Sequence, residues 1–164
     1  MKNKQQLREY IKQAFKEQET DSINKKNISI IEKVNTYLSI NSFKHICIYE
    51  SLNDEVKTKD YIEELRENWY KIYTPQVISE TEMIIIDENY EHYEKEIDVF
   101  IIPGRAFSYE GKRLGRGNWY YDRFLSQKIY KKSRKIWIWY DFQILEDIPT
   151  LRHDIIMNKI FTND

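Results

Sequence analysis

Hydrophobic positions along this chain follow two rhythms that alternate from the first third onward. Residues 4–18 set Leu7, Ile11, Ala14 and Phe15 on one side, the period of an amphipathic helix. A second helix follows, with Asp21 or Ser22 as its cap and Ile30, Ile31, Val34 and Leu38 as its apolar stripe. The rhythm then tightens: residues 44–50 read as a strand centred on Ile46, Cys47 and Ile48. Thr58 is placed to cap a third helix whose buried face would be Tyr61, Ile62, Leu65 and Trp69. Residues 71–74 predict a short strand closed by Pro75, and residues 83–86 another. A polar connection over 87–97 leads to an almost continuously apolar strand, 98–102, stopped by Pro103. A helix near 119–132 and a strand over 136–140 complete the pattern.

Strands that alternate with helices and are apolar on both faces need cover on each side of their sheet. The expectation is a single α/β domain over residues 1–164, without linker, repeat or low-complexity segment. In such sheets ligands collect beyond the carboxyl ends of the strands. The stretch after Ile102 occupies such an end.

Composition narrows the function. Charged residues nearly cancel to a net −1, so no overall field points to nucleic acid or to an acidic membrane. The runs Lys25-Lys26 and Lys131-Lys132 read as solvated faces. Cys47 is the sole cysteine, which excludes an internal disulfide and a cysteine-based zinc site. It reads as a small core residue. No apolar run approaches the roughly 20 residues that a bilayer-spanning helix needs, and the first residues lack the apolar stretch of a signal peptide. A soluble, cytoplasmic protein is expected.

All four glycines, Gly104, Gly111, Gly115 and Gly117, fall within residues 103–122, together with Arg105, Lys112, Arg113 and Arg116. Glycine admits positive φ and close approach of a ligand to the backbone. Clustered cations, bare N–H groups and a following helix start together suit an anion, with phosphate the natural candidate. A tight connection has the same composition. The window also lacks the Gly-Lys-Ser/Thr ending of a P-loop and the spacing of a dinucleotide turn.

The segment Gly111-Lys-Arg-Leu-Gly-Arg-Gly-Asn-Trp-Tyr-Tyr-Asp-Arg-Phe-Leu125 resembles the signature of the 5-formyltetrahydrofolate cyclo-ligase family, G-x-R-L-G-x-G-x-G-Y-Y-D-x-x-L. Ile97-Asp-Val-Phe-Ile-Ile-Pro-Gly-Arg-Ala-Phe107 is similar to the strand that precedes it in that family. Lys4-x-x-Leu-Arg8, Asn53-Asp-Glu-Val56 and His153-Asp154 extend the resemblance across nearly the whole chain, in the same order.

The resemblance implies a three-layer α/β/α sandwich around a mostly parallel or mixed sheet. It also implies ATP-dependent closure of N5-formyltetrahydrofolate to 5,10-methenyltetrahydrofolate through phosphorylation of the formyl oxygen. By the same resemblance Lys4 and Arg8 contact ATP, and Arg113, Leu114, Gly115, Arg116, Gly117, Asn118, Trp119, Tyr120 and Tyr121 form the nucleotide loop. Arg116, Gly117, Asn118, Trp119 and Tyr120 also meet the folate, with Arg116 and Tyr120 taken as catalytic. Glu55 accepts hydrogen bonds from the pterin ring, and Glu50 is a second contact. Asp122 and Asp154 match ligands of Mg2+, which takes few protein carboxylates and several phosphate or water oxygens. A monomer acting on a small-molecule substrate, with no nucleic-acid or membrane partner, completes the implied picture.

Bland readings stand beside these. Lys4 and Arg8 share a helix face, as solvated pairs commonly do. Asp122 would also suit a helix cap, and Asp154 an exposed position. Two departures from the family pattern are specific. Trp119 replaces a third glycine; if that position needs positive φ, strain of about 1–3 kcal/mol follows, whereas a stacked indole would instead grip pterin or adenine. Gln76 stands where a basic residue usually follows the proline, leaving a contact to the glutamate tail or phosphate open. The chain is also short between Pro75 and Asp98, as in compact members of the family. A folate- or nucleotide-binding protein without turnover is the alternative from another class. A sugar-phosphate isomerase of similar architecture is weaker, because fold does not decide function. His45, His92 and His153 lack metal spacing, and no nucleophile elbow supports a hydrolase.

Overall fold

A computed structural model of the chain describes residues 3–117, 120–149, 155 and 157–164. Helices α1 (Lys4–Lys16), α2 (Thr20–Ile40), α3 (Lys59–Glu67) and α4 (Tyr120–Leu125) surround strands β1 (His45–Ile48), β2 (Lys71–Val77), β3 (Met83–Ile86), β4 (Val99–Ile102), β5 (Ala106–Phe107), β6 (Arg113–Leu114), β7 (Arg134–Ile138) and β8 (Lys159–Phe161). Six strands form one sheet in the order β3-β2-β1-β4-β7-β8, while β5 and β6 pair as a small hairpin. Every ladder of the large sheet is parallel except β2 with the edge strand β3.

Side-chain alternation divides the sheet into two cores, as the period of two demands. Ile46, Ile48, Val99, Ile101, Ile136 and Ile138 face α2 and α3, where Ile30, Val34, Leu38, Ile62 and Leu65 cover them. Cys47, Phe100, Ile102, Trp137 and Trp139 point the other way, against Phe107, Phe124, Leu125 and Tyr130. Three layers result, as the sequence implied. Burying an aliphatic or aromatic side chain of this kind contributes about 1.5–3 kcal/mol, so both faces bind their helices firmly. Cys47 lies in the second core, where burial pushes its thiol well above the ordinary range.

A third, smaller cluster matters more for the site. Leu7 and Ile11 of α1 pack on Ala106, Leu114 and Ile148, which seats the helix on the β5–β6 hairpin. Asn3 fixes the start of that helix: its side chain accepts from the N–H groups of Gln5 and Gln6 at 3.0 and 2.9 Å, and Gln6 caps Asn3 in return.

Several local expectations are corrected. Helix α2 begins one residue before Asp21, with Glu19 at its N-cap, so neither Asp21 nor Ser22 caps it. Thr58 sits at the N-cap of α3 but makes no capping bond; its hydroxyl donates to Tyr49 O at 2.6 Å and accepts from Ser51 N. Trp69 lies beyond α3 at φ 67° and is 92% exposed, so it belongs to no apolar face. Strand β2 runs through Pro75 to Val77. The helix expected over 119–132 ends at Leu125, and a 3-10 turn at Lys128–Tyr130 follows. Strand β8 and the β5–β6 hairpin had no forecast.

Candidate functional site

A cleft of about 540 Å³ opens beyond the carboxyl ends of β1, β2 and β4, within the usual range for a small-molecule site. Tyr49 and Glu50 come from the end of β1, Thr74 to Val77 from β2, and Pro103 and Gly104 from the residues after β4. Lys4 and Arg8 enter from α1, and Arg113, Gly115, Arg116, Gly117, Tyr120, Tyr121 and Asp122 from the glycine-rich segment. Glu55 and Leu52 close another side.

Local chemistry explains the loop's course. Gly111 turns the β5–β6 hairpin at φ 82°, and Gly117 takes φ 115°, a conformation that side chains rarely adopt. Arg8 Nε donates to Gly115 O at 2.9 Å, so the first helix holds the loop against the cleft. The short α4 makes its start a weaker anion feature than the sequence suggested. Lys4, Arg8, Arg113 and Arg116 bring cationic side chains to the cleft instead.

Two ion-pair groups organise those cations. Arg113 Nη2 lies 2.7 Å from Asp122 Oδ2, with both side chains nearly buried, and Nη1 donates to Pro103 O at 3.3 Å. Arg116 donates through Nε and Nη2 to Glu55 Oε1, at 3.1 and 2.9 Å, and through Nη2 to Asp54 Oδ1 at 2.7 Å. The other Asp54 oxygen pairs with Arg105. Glu55 is only 5% exposed, and its Oε2 accepts from Leu52 N at 2.9 Å. A carboxylate so placed keeps acceptor capacity for a ligand's N–H groups, since each oxygen carries two lone pairs.

Tyr49 and Tyr121 stay neutral hydroxyls on the cleft wall. Burial raises both above the ordinary phenol range; the Glu55 charge adds to this at Tyr49, and Cys47 at Tyr121, against opposing pulls from Arg116 and Arg113 respectively. Tyr49 donates to Val56 O at 3.0 Å. Tyr120 lies half-buried with the Arg123 guanidinium 5.7 Å from its ring centroid.

The structure thus brings Lys4, Arg8, Glu50, Glu55, Arg113, Gly115, Arg116, Gly117, Tyr120, Tyr121 and Asp122 to one cleft. Leu114 is the exception: its side chain is fully buried under α1 and does not reach the cleft. Asn118, Trp119 and Asp154 lie outside the described residues, as does His153. His45 is structural, its Nδ1 2.8 Å from the Tyr73 hydroxyl. Sequence reasoning missed Tyr49, Thr74, Val77, Ile86 and Tyr90 on the walls and gave Asp54 no role within its motif, while Arg105, grouped with the cations suited to phosphate, pairs with Asp54 and does not line the cleft. The strand-end rule would have found Tyr49 and Thr74. Nothing in the sequence marks Tyr90, an 84% exposed ring on the rim held at φ 61°.

A magnesium site can be tested against these donors. Among the described residues no group of three or more His, Cys, Asp or Glu side chains could hold a metal ion. Asp122 alone faces the cleft from the loop, and its Oδ1 accepts from Ile155 N at 3.2 Å. One carboxylate fits a magnesium ion that draws most of its ligands from phosphate and water.

Fold and site together define an α/β protein with an arginine-lined cleft at its strand ends. A family model described as the 5-formyltetrahydrofolate cyclo-ligase family matches residues 84–163. The 5-formyltetrahydrofolate cyclo-ligase of Mycoplasma pneumoniae is 39% identical over 120 residues, covering 70% of this chain and 73% of its own length. This chain belongs to the 5-formyltetrahydrofolate cyclo-ligase family. A solved structure of a 5,10-methenyltetrahydrofolate synthetase from Mycoplasma pneumoniae superposes with a TM-score of 0.89 at 31% identity, over 99% of this chain and 100% of that one. The NMR structure of the Aquifex aeolicus 5,10-methenyltetrahydrofolate synthetase, at 23% identity, shares the fold with a TM-score of 0.81 over 98% of this chain and 89% of that one.

Proposed function

We propose that this chain is an ATP-dependent 5-formyltetrahydrofolate cyclo-ligase, closing N5-formyltetrahydrofolate to 5,10-methenyltetrahydrofolate with release of ADP and phosphate. One observation carries the reading. Lys4 and Arg8, Glu50 and Glu55, and the segment from Arg113 to Asp122 are far apart in sequence, yet all supply the walls of a single cleft.

In this reaction the formyl oxygen attacks the γ-phosphorus of ATP, the bond to the bridging oxygen breaks, and ADP leaves. The lone pair of the neighbouring N10 then attacks the activated formyl carbon. Its proton passes to solvent, and phosphate departs with the original formyl oxygen as the methenyl bridge forms. Phosphoryl transfer asks a protein mainly for positioning and charge neutralisation. Lys4, Arg8, Arg113 and Arg116 would hold the phosphates, with the bare backbone at Gly117 admitting close approach. Glu55 would accept the pteridine N–H groups, with more of its acceptor capacity freed if Arg116 turns from it toward phosphate. Asp122, with Asp154 as a second candidate, would hold magnesium, which supplies neutralisation of phosphate charge. Tyr120, between the two ligands, would orient the reacting oxygen. We further take residues 1–164 to act as one domain in a monomeric, cytoplasmic enzyme.

The test is absorbance of the methenyl chromophore after mixing protein, MgATP and N5-formyltetrahydrofolate. A rise that needs ATP and is lost with a magnesium chelator is expected. Binding of both ligands without any rise would refute turnover and leave a binding module.

A further inference from the structure

The sheet's opposite end carries a feature that the cleft does not explain. Between Asp122 and Asp141 the chain has no carboxylate but six cations, Arg123, Lys128, Lys131, Lys132, Arg134 and Lys135, although the whole protein has a net charge of −1. The last five line an open groove at the amino end of β7. Since the strands flanking β7 are parallel to it, this groove lies at the end of the sheet away from the cleft.

While some cations elsewhere bond to neutral oxygens, such as Lys33 to Thr162 O and Lys57 to Asn24 Oδ1, several pair with carboxylates: Lys26 with Asp141, Lys112 with Asp147 and Glu110, and Arg113 with Asp122. Among the described residues none of the five groove cations has such a partner. Lys135 is the telling member. It is only 7% exposed, and its ammonium donates to Tyr130 O at 2.8 Å and Ser133 O at 3.0 Å. An ammonium has three donors, so one N–H remains beyond those two carbonyls. Desolvation without a counter-charge depresses its pKa. A buried cation lacking an anion is costly, and a bound anion offsets that cost. Neighbouring donors suit the same occupant: Asn158 uses its Oδ1 on Lys135 N, which leaves its amide N–H groups for a ligand.

We propose that this groove is a second anion-binding site, separate from the cleft, that takes a small multivalent phosphate such as pyrophosphate. Its cations are confined to eight residues around a buried ammonium, which fits a compact ligand. A polymer would need a longer cationic track, and Tyr130, the aromatic ring of this stretch, is buried and offers no stacking face. The groove's volume of about 820 Å³ has room for linked phosphates rather than a single one. The proposal does not depend on the folate reading.

The probe is inorganic pyrophosphate, titrated into the whole protein at low ionic strength by calorimetry and by amide chemical shifts. Two equivalents should bind, one shifting residues of the cleft and one shifting Ser133, Lys135 and Asn158. Lys131→Glu/Lys132→Glu, on exposed positions, should abolish the second equivalent and leave the first. Lys135→Met should weaken the second by about tenfold, the scale of one lost charge-assisted bond, while retaining the fold by circular dichroism. Shifts confined to the cleft, or stoichiometry unaltered by the charge reversal, would overturn the proposal. So would a short single-stranded oligonucleotide that occupies the groove where pyrophosphate does not.

Discussion

Asp54→Asn gives the most informative perturbation of the cleft, because Asp54 touches two cations and lies outside the expected site. Its carboxylate bridges Arg105 and Arg116, with Oδ1 2.7 Å from Arg116 Nη2. Arg116 would keep Glu55 as a partner after the change, whereas Arg105 would lose its carboxylate. Charge-assisted hydrogen bonds contribute about 1.5–3 kcal/mol when buried and about 0–1 when exposed. The Asp54 side chain is 27% exposed and that of Arg116 35%, so the two bonds fall between these limits. We expect a loss of about 1.5–3 kcal/mol by urea denaturation, half of the roughly 3–6 kcal/mol that two buried bonds would give. The kinetic consequence has a definite direction. Without Asp54, Arg116 has only Glu55 to pair with, so the carboxylate that should receive the pteridine is held more tightly by its own arginine. KM for N5-formyltetrahydrofolate should rise about three- to tenfold, equivalent to some 0.7–1.4 kcal/mol. Loss of stability with an unchanged folate KM would show that Asp54 is a structural strut only. A change under about 0.5 kcal/mol, within the range of ordinary surface substitutions, would show that the bridge holds nothing.

Three further outcomes follow from the same geometry. Gly104→Ala would place a methyl 2.5 Å from Phe107 Cζ, and that ring is stacked at 4.2 Å on Trp139 and cannot retreat; overpacking should cost about 1–3 kcal/mol in a thermal or urea melt, and a melt equal to the parent's would contradict it. Asp122→Asn should lower turnover by about tenfold or more through loss of phosphate neutralisation, with the far-ultraviolet spectrum retained; unchanged kinetics would remove its metal role. Asp141 has its pKa raised by burial but lowered by more through Lys26 at 2.6 Å, Asn163 and the Phe142 N–H, leaving it below the ordinary carboxylate range. A depressed folded-state pKa stabilises above the unfolded value, near 3.9, and the benefit disappears as pH falls through the folded value; Asp141→Asn should therefore be less stable than the parent at neutral pH, with the gap closing below about pH 4 in urea titrations.

What was legible in the sequence was whatever a repeating pattern or a contiguous motif can carry. Ile46 and Ile48 against Cys47, and Ile136 and Ile138 against Trp137, declare a strand buried on both faces, and the sheet confirms each assignment. The segment from Gly111 to Asp122 was legible because its motif is contiguous in the chain. Elements of two or three residues were not, since Ala106–Phe107, Arg113–Leu114 and Lys159–Phe161 are too short to show a period. Capping was misread at Thr58 for a different reason: its hydroxyl had a better acceptor in Tyr49 O, a competition invisible along the chain. The Asp54–Arg105 and Glu55–Arg116 pairs join residues that only the folded sheet brings together.

Pro75 shows how a sound local inference can miss what matters. A proline lacks an N–H, so the sequence reads it as the end of a strand. In the structure β2 continues past it for two residues. Lys71 N donates toward β1, to Lys44 O, so the odd-numbered nitrogens of β2 face that neighbour and the nitrogen of Pro75 does too. The β1–β2 register stops at Cys47 opposite Tyr73, and hence no ladder bond is lost at Pro75. On its other side β2 pairs with β3, where Ile78 N donates to Glu82 O; Pro75 opposite Ile85 and Val77 opposite Met83 both lie out of phase with that bonded pair, at non-donating positions. The strand can therefore outrun its neighbour with no donor stranded at Pro75 and with Val77 at an exposed position, and the step it leaves is where Thr74, Pro75 and Gln76 line the cleft. The residue that sequence logic takes as a stop is the one that lets the sheet's edge become a wall of the cleft.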